Sequence, residues 1–171
     1  MNPLPHPDLL YLEAAKGWIM LGNLKEANRE LDRIGAALQK HADVLEVRFA
    51  IYFKAKKWIV CMEVAAAMLE LAPDRPTTWI NSAQTLHEMQ QTEDAWNALY
   101  AVRHRFPKVA AIPYNLACYA CKLGRLNDSQ QWLRKAFALG GDSLKRMALD
   151  EADLQPIREQ IKQLSRPGAA R

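Results

Sequence analysis

"IPYNLACYACKLGRLNDSQQWLRKAFALG", residues 112–140, is the stretch that decides the fold. Two runs of helix-favouring residues flank Gly124, a residue type that suits a tight reversal. Cys118 and Cys121 lie in the first run, and their meaning separates an enzyme from a scaffold. A reactive thiolate needs a helix N-terminus or nearby cations, and Lys122 is the one adjacent cation. A structural zinc site needs four ligands; no second cysteine pair exists, and His87 adds at most a third. The pair reads as two narrow residues that pack on a helix or line a groove. Neither metal nor cofactor is expected.

Outward from this stretch a period appears. Stepping by 34 from Ala27 gives Cys61, Ala95 and Ser129, all small. Leu31 leads to Ala65, Leu99 and Leu133, and Ile34 leads to Met68, Val102 and Ala136. Ala15 leads to Phe49, Ala83 and Ala117, a small column with one large outlier. Pro73 and Pro107 are also 34 apart, and Gly22 and Gly124 are three such steps apart. A two-helix hairpin buries only one face by itself; stacked copies bury the rest, and the same contact then recurs at a fixed interval.

The motifs "YNLA", "KLGRL" and "LRKAFAL" in this register resemble the tetratricopeptide repeat family. The resemblance spans residues 8–141 as four repeats, at 8–41, 42–75, 76–109 and 110–141, with a C-terminal cap at 142–165. It implies an all-α fold: a right-handed superhelical stack of about four helical hairpins with capping helices, forming a single domain over 1–171. Departures from the pattern are specific. Pro113 stands where the family prefers Trp, a column held by Trp79 in the third repeat and Tyr11 in the first. Lys56 and Gln90 replace the turn glycine in the middle repeats, and Gln39 stands where a proline would close the first. Those two turns must therefore avoid the left-handed conformation or tolerate it.

Helices are expected at 8–21, 24–39, 42–55, 58–71, 76–89, 92–106, 110–123 and 126–139. Asp8 and Asp43 can cap helix starts, Pro76 suits a first turn, and Gly140-Gly141 ends the last repeat. Two further helices are expected at 142–149 and 153–165, the second capped by Asp153. Leu154, Ile157, Ile161 and Leu164 form an apolar stripe that would cover the last repeat, and "SRPGAAR" reads as a frayed tail. Trp18, Trp58 and Trp79 fall on columns where the family places core aromatics; for Trp96 and Trp132 the place is left open, and one of them could be exposed.

Composition narrows the function classes. Half of the residues are hydrophobic and a quarter charged, as in ordinary globular chains. No apolar run is long enough for a membrane span, and "MNPLPHPDLL" lacks the layout of a secretory signal. With three cysteines and no disulfide framework, a cytoplasmic setting is expected. The net charge of +4 is mild; its densest run, "RHRFPK", falls where a helix should end, which suits cations. That argues against nucleic acid as partner. The histidines are scattered, no serine lies in an elbow motif and no glycine loop could cradle a phosphate, so no catalytic residue is expected.

The family binds partners on a concave face lined by the first helix of each repeat. The register carries that role to Leu12 and Lys16, to Glu46 and Phe53, to Ile80, Asn81, Gln84 and His87, and to Tyr114, Asn115, Cys118, Cys121 and Lys122. Some members clamp a C-terminal carboxylate with Lys and Asn; the matching positions here are Leu12, Lys16, Glu46 and Ala50, so that pattern is not met. The implied function is a non-enzymatic scaffold that holds a protein or peptide partner in this groove. Three occupants fit: a partner's peptide, a second copy of the chain, or the chain's own "MNPLPHP" arm. An RNA-binding helical repeat and a self-assembling structural module are the alternatives; Glu46 and Glu88 weigh against the first.

Overall fold

The computed structural model describes residues 3–164; the tail read at 165–171 lies outside the described residues. The described residues form α1 (Asp8–Met20), α2 (Leu24–Asp32), α3 (Ala42–Lys54), α4 (Trp58–Leu71), α5 (Pro76–Glu88), α6 (Thr92–Val102), α7 (Ala111–Lys122), α8 (Leu126–Asp150) and α9 (Arg158–Leu164). Short 3-10 segments occur at Ala36–Leu38 and Ala152–Ile157, and no strand is present among the described residues. The fold is all-α, built from tetratricopeptide-like hairpins.

The period is visible in the backbone itself. Helices α2, α4, α6 and α8 begin at Leu24, Trp58, Thr92 and Leu126, each 34 residues after the last. The turns before them are left-handed at Gly22 (φ 76°), Lys56 (φ 55°), Gln90 (φ 65°) and Gly124 (φ 75°). So Lys56 and Gln90 tolerate the conformation that glycine favours. The same hydrogen bonds close each turn. The amides of Asn23, Lys57, Gln91 and Arg125 donate to the carbonyls five residues back, on Trp18, Tyr52, Leu86 and Ala120, at 2.9, 2.9, 2.9 and 2.8 Å. This six-to-one bond satisfies a carbonyl that the helix end leaves open. All sixteen residues of the four periodic columns are buried, the least so being Val102 at 6%.

Several local expectations are corrected. α2 stops at Asp32 rather than at 39, because Gly35 takes an extended conformation (φ −51°, ψ 139°). Its amide donates to Asp8 Oδ1 at 2.8 Å, so Asp8 serves that loop and not the start of α1. Gln39, standing in for the closing proline, donates through Nε2 to the carbonyls of Leu31 (2.9 Å) and Ile34 (2.7 Å). Asp43 does not cap α3: His41 Nδ1 accepts from the Asp43 amide at 3.3 Å, and the Asp43 carboxylate pairs with Arg75. Trp18 and Trp58 are half-buried, packed against the two core clusters and not within them, and Trp79 is half-buried as well. The Trp79 indole donates to the Pro73 carbonyl at 2.9 Å, which keeps its polar edge near the surface.

The chain divides into two compact units, residues 1–85 and 86–171, with the boundary inside α5. In the first unit, Leu12, Ala15, Ala27, Leu31, Ile34, Val44 and Val47 form one cluster, into which Leu4 of the N-terminal arm inserts. Phe49, Cys61, Val64, Ala65 and Met68 form a second cluster between α3 and α4. In the second unit every residue from Ile112 to Cys121 is buried, so α7 is covered all round by α6, α8 and the 3-10 segment Ala152–Ile157. α8 is broken at Gly141 (φ 62°, ψ −156°), after which the chain returns as the cap. A Cβ on Gly140 would come within 2.7 Å of the Leu144 side chain, so the two segments meet closely there. Leu154, Ile157 and Ile161 are fully buried. The cap starts as a 3-10 turn holding Pro156 and becomes helical only at Arg158, so Asp153 is not a helix cap.

Candidate partner-binding site

The first unit carries an open cleft of about 340 Å³ between α3 and α5. Glu46, Phe49, Ala50, Phe53 and Lys54 line one wall, and Thr77, Asn81 and Gln84 line the other. Spacing explains the first wall, because residues three and four apart share a helix face. The floor is aromatic: Phe49 and Phe53 stack at 5.5 Å, and Phe53 meets Trp58 edge-on at 5.1 Å. The two ends differ in charge. Glu46 accepts from the Thr77 hydroxyl and lies 3.6 Å from Arg75. Lys54 is exposed and has no carboxylate partner among the described residues. Asn81 Nδ2 makes only a long contact, 4.0 Å, to Met68 Sδ.

Four residues expected to face a partner therefore meet in this cleft: Glu46, Phe53, Asn81 and Gln84. Phe49 and Thr77 join them without having been expected. Phe49 had left a signal, since it is the one large residue in a column of alanines. Thr77 left none. Ile80 and Leu12 are instead core residues, 9% and 2% exposed. Lys16 is exposed and pairs with Glu13 at 2.6 Å.

In the second unit the expected face is turned to the chain's own cap. Tyr114, Asn115, Cys118 and Cys121 are all buried, on the helix that the 3-10 segment covers. Asn115 Nδ2 donates to the Ala111 carbonyl at 2.7 Å. His87 stacks on Tyr119 at 4.9 Å, and its Nε2 donates to Asp153 Oδ2 at 2.8 Å. His87 Nδ1 lies 3.0 Å from the Thr92 hydroxyl. Lys122 Nζ lies 3.6 Å from the other Asp153 oxygen. Tyr114, expected to face a partner, is buried on the helix that the cap covers. Its hydroxyl is buried without a hydrogen-bond partner among the described residues.

The cysteines are free and buried. Burial pushes both thiols up from their ordinary pKa, and the carboxylates of Glu151 and Asp153 push Cys118 further. A thiol held protonated is a poor nucleophile and a poor metal ligand. Among the described residues no three His, Cys, Asp or Glu side chains are placed to hold a metal ion. No described helix is long and apolar enough to cross a membrane.

No protein-family model matches the chain, and no curated protein matches it. Solved structures do. MamA 41-end from Desulfovibrio magneticus RS-1 superposes with a TM-score of 0.66 at 18% identity, over 98% of this chain and 100% of that one. A MamA RS-1 double mutant superposes with a TM-score of 0.63 at 14% identity, over 78% of this chain and 75% of that one. MamA is a tetratricopeptide-like helical repeat protein, so the likeness is one of fold.

Proposed function

We propose that the chain is a non-enzymatic scaffold that holds an extended peptide segment of a partner protein in the α3/α5 cleft. The observation that carries this reading is the cleft's layout, an aromatic floor with a carboxylate at one end and an unpaired lysine at the other. An apolar side chain of the peptide packs on Phe49 and Phe53, where its burial contributes about 1.5–3 kcal/mol. Asn81 offers a donor and an acceptor on one amide, which matches the alternating groups of a peptide backbone. Lys54 attracts a carboxylate on the peptide side chain or terminus. The high thiol pKa values and the dispersed titratable groups support a binding role over a catalytic one.

A photo-reactive benzoylphenylalanine at Ala50 tests this in an extract of the cell of origin, with the crosslinked chain identified by mass spectrometry. One peptide segment should be captured, and Lys54→Glu or Asn81→Ala should weaken its purified form by about tenfold. Capture that is indifferent to both substitutions would remove the cleft from the reading.

A further inference from the structure

The second unit holds a different cavity, of about 370 Å³, at the turn between α6 and α7. Its floor is apolar and stiff: Phe106, Pro107, Ile112, Pro113 and Trp132. Its rim carries the cations of Arg103 and Lys135 with His104 beside them, and no acidic, amide or hydroxyl side chain lines it. The "RHRFPK" run, read from sequence as helix-end cations, thus supplies part of a pocket wall. Residues 95–141 contain seven Lys and Arg (103, 105, 108, 122, 125, 134, 135) and a single acidic residue, Asp128. The rim cations are not neutralised by ion pairs. The Arg103 guanidinium rests on the Tyr100 ring at 3.5 Å, and Lys135 Nζ lies 4.1 Å from the Trp132 ring. Among the described residues neither has a carboxylate partner.

We infer that this pocket is a second binding site, for an acidic linear peptide that inserts one aliphatic or aromatic side chain. The volume admits one such anchor and its flanking backbone. The rim then meets carboxylates on either side of the anchor, in place of ring faces. Charge complementarity of this kind speeds encounter and makes affinity fall with salt. Stacked nucleobases also favour cationic aromatic surfaces. That mode needs open ring faces and a track of several cations along the strand, whereas this site is one anchor-sized recess with two rim cations, and Lys135 lies over the Trp132 ring. The occupant is therefore peptide.

The probe is an equimolar pool of N-acetylated pentapeptide amides, with Asp or Glu at the outer four positions and Leu, Ile, Phe, Tyr or Trp at the centre. It is titrated into the full ¹⁵N-labelled chain, and the Trp132 indole N–H resonance is followed. A saturable shift is expected, with affinity falling about fivefold or more between about 50 and 200 mM salt. Lys135→Glu, at an exposed position, should weaken binding about tenfold with the helical circular dichroism unchanged. Asn81→Ala should leave it unaltered, which keeps this site independent of the α3/α5 cleft. The proposal is overturned by any of three results: no shift up to about 5 mM pool; equal binding of pools with Asn and Gln outside or Gly at the centre; or tighter binding of oligouridylate at Trp132.

Discussion

Lys56 and Gln90 sit at backbone angles (φ 55° and 65°) that Gly22 and Gly124 adopt at the equivalent turns. An L side chain in this region is disfavoured by about 1–2 kcal/mol, because Cβ crowds the following carbonyl. Glycine removes that penalty but gains freedom in the unfolded chain, which returns about 0.4–1 kcal/mol. Lys56→Gly and Gln90→Gly should each raise stability by about 0.5–1 kcal/mol, measured as a shift in urea midpoint at constant slope. Gly22→Ala and Gly124→Ala should each lower it by about 1 kcal/mol. Beyond the residue itself and its chain neighbours nothing lies within 4 Å of a Cβ at either glycine, so that loss is one of local backbone conformation. The period was legible because small and apolar residues recur at 34-residue steps. What the middle turns would do was not legible, since the identical hydrogen bonds that hold them are made by backbone and leave no mark on residue type.

Between elements, side-chain substitutes replace the consensus residues. The register extended α2 to 39, whereas the helix ends at Asp32, and Gln39 donates back to the carbonyls of Leu31 in its last turn and Ile34 just beyond it. Gln39 in turn accepts from Arg48 Nη2 on α3 at 2.7 Å. One side chain thus closes α2 and fixes α3 beside it. Gln39→Ala should cost about 1–2 kcal/mol, because two carbonyls and a guanidinium lose a partner in a half-buried place. Gln39→Glu is the sharper control: it keeps the acceptor for Arg48 but has no donor for the carbonyls. If Glu were as stable as Gln in thermal melts, the capping role of Nε2 would be refuted. The cap shows a similar limit. Its apolar stripe was legible, and Leu154, Ile157 and Ile161 are buried as a stripe requires. Its 3-10 opening was not, because a glutamate, an aspartate and a proline fit the first turn of either helix type.

Across the whole chain, which exposed faces stay open depends on long-range packing, and spacing alone does not report it. Repeat register makes Phe53 equivalent to Cys121, Asn81 to Asn115 and Gln84 to Cys118, yet Cys121, Asn115 and Cys118 are buried while Phe53, Asn81 and Gln84 line an open cleft. The difference in the second unit is the cap, which buries Leu154 and Ile157 and ties Asp153 to His87 and Lys122. The hydrogen bond from His87 lowers the pKa of Asp153, and the charges of His87 and Lys122 lower it further; burial acts the other way. A depressed carboxylate stabilises the fold above the unfolded value, which for Asp is about 3.9, and loses that contribution as pH falls through the folded value. Glu151 on the same segment and Tyr119 on α7 face the same contact. Acidification below about pH 4, through the folded value of Asp153, should therefore loosen the cap. Hydrogen exchange of the amides of 154–161, corrected for the intrinsic pH dependence of exchange, should speed up over that range in the wild type. In Asp153→Asn it should be faster already at neutral pH and respond less to acid. An equally steep acid response in Asp153→Asn would assign the hold on the cap to another group.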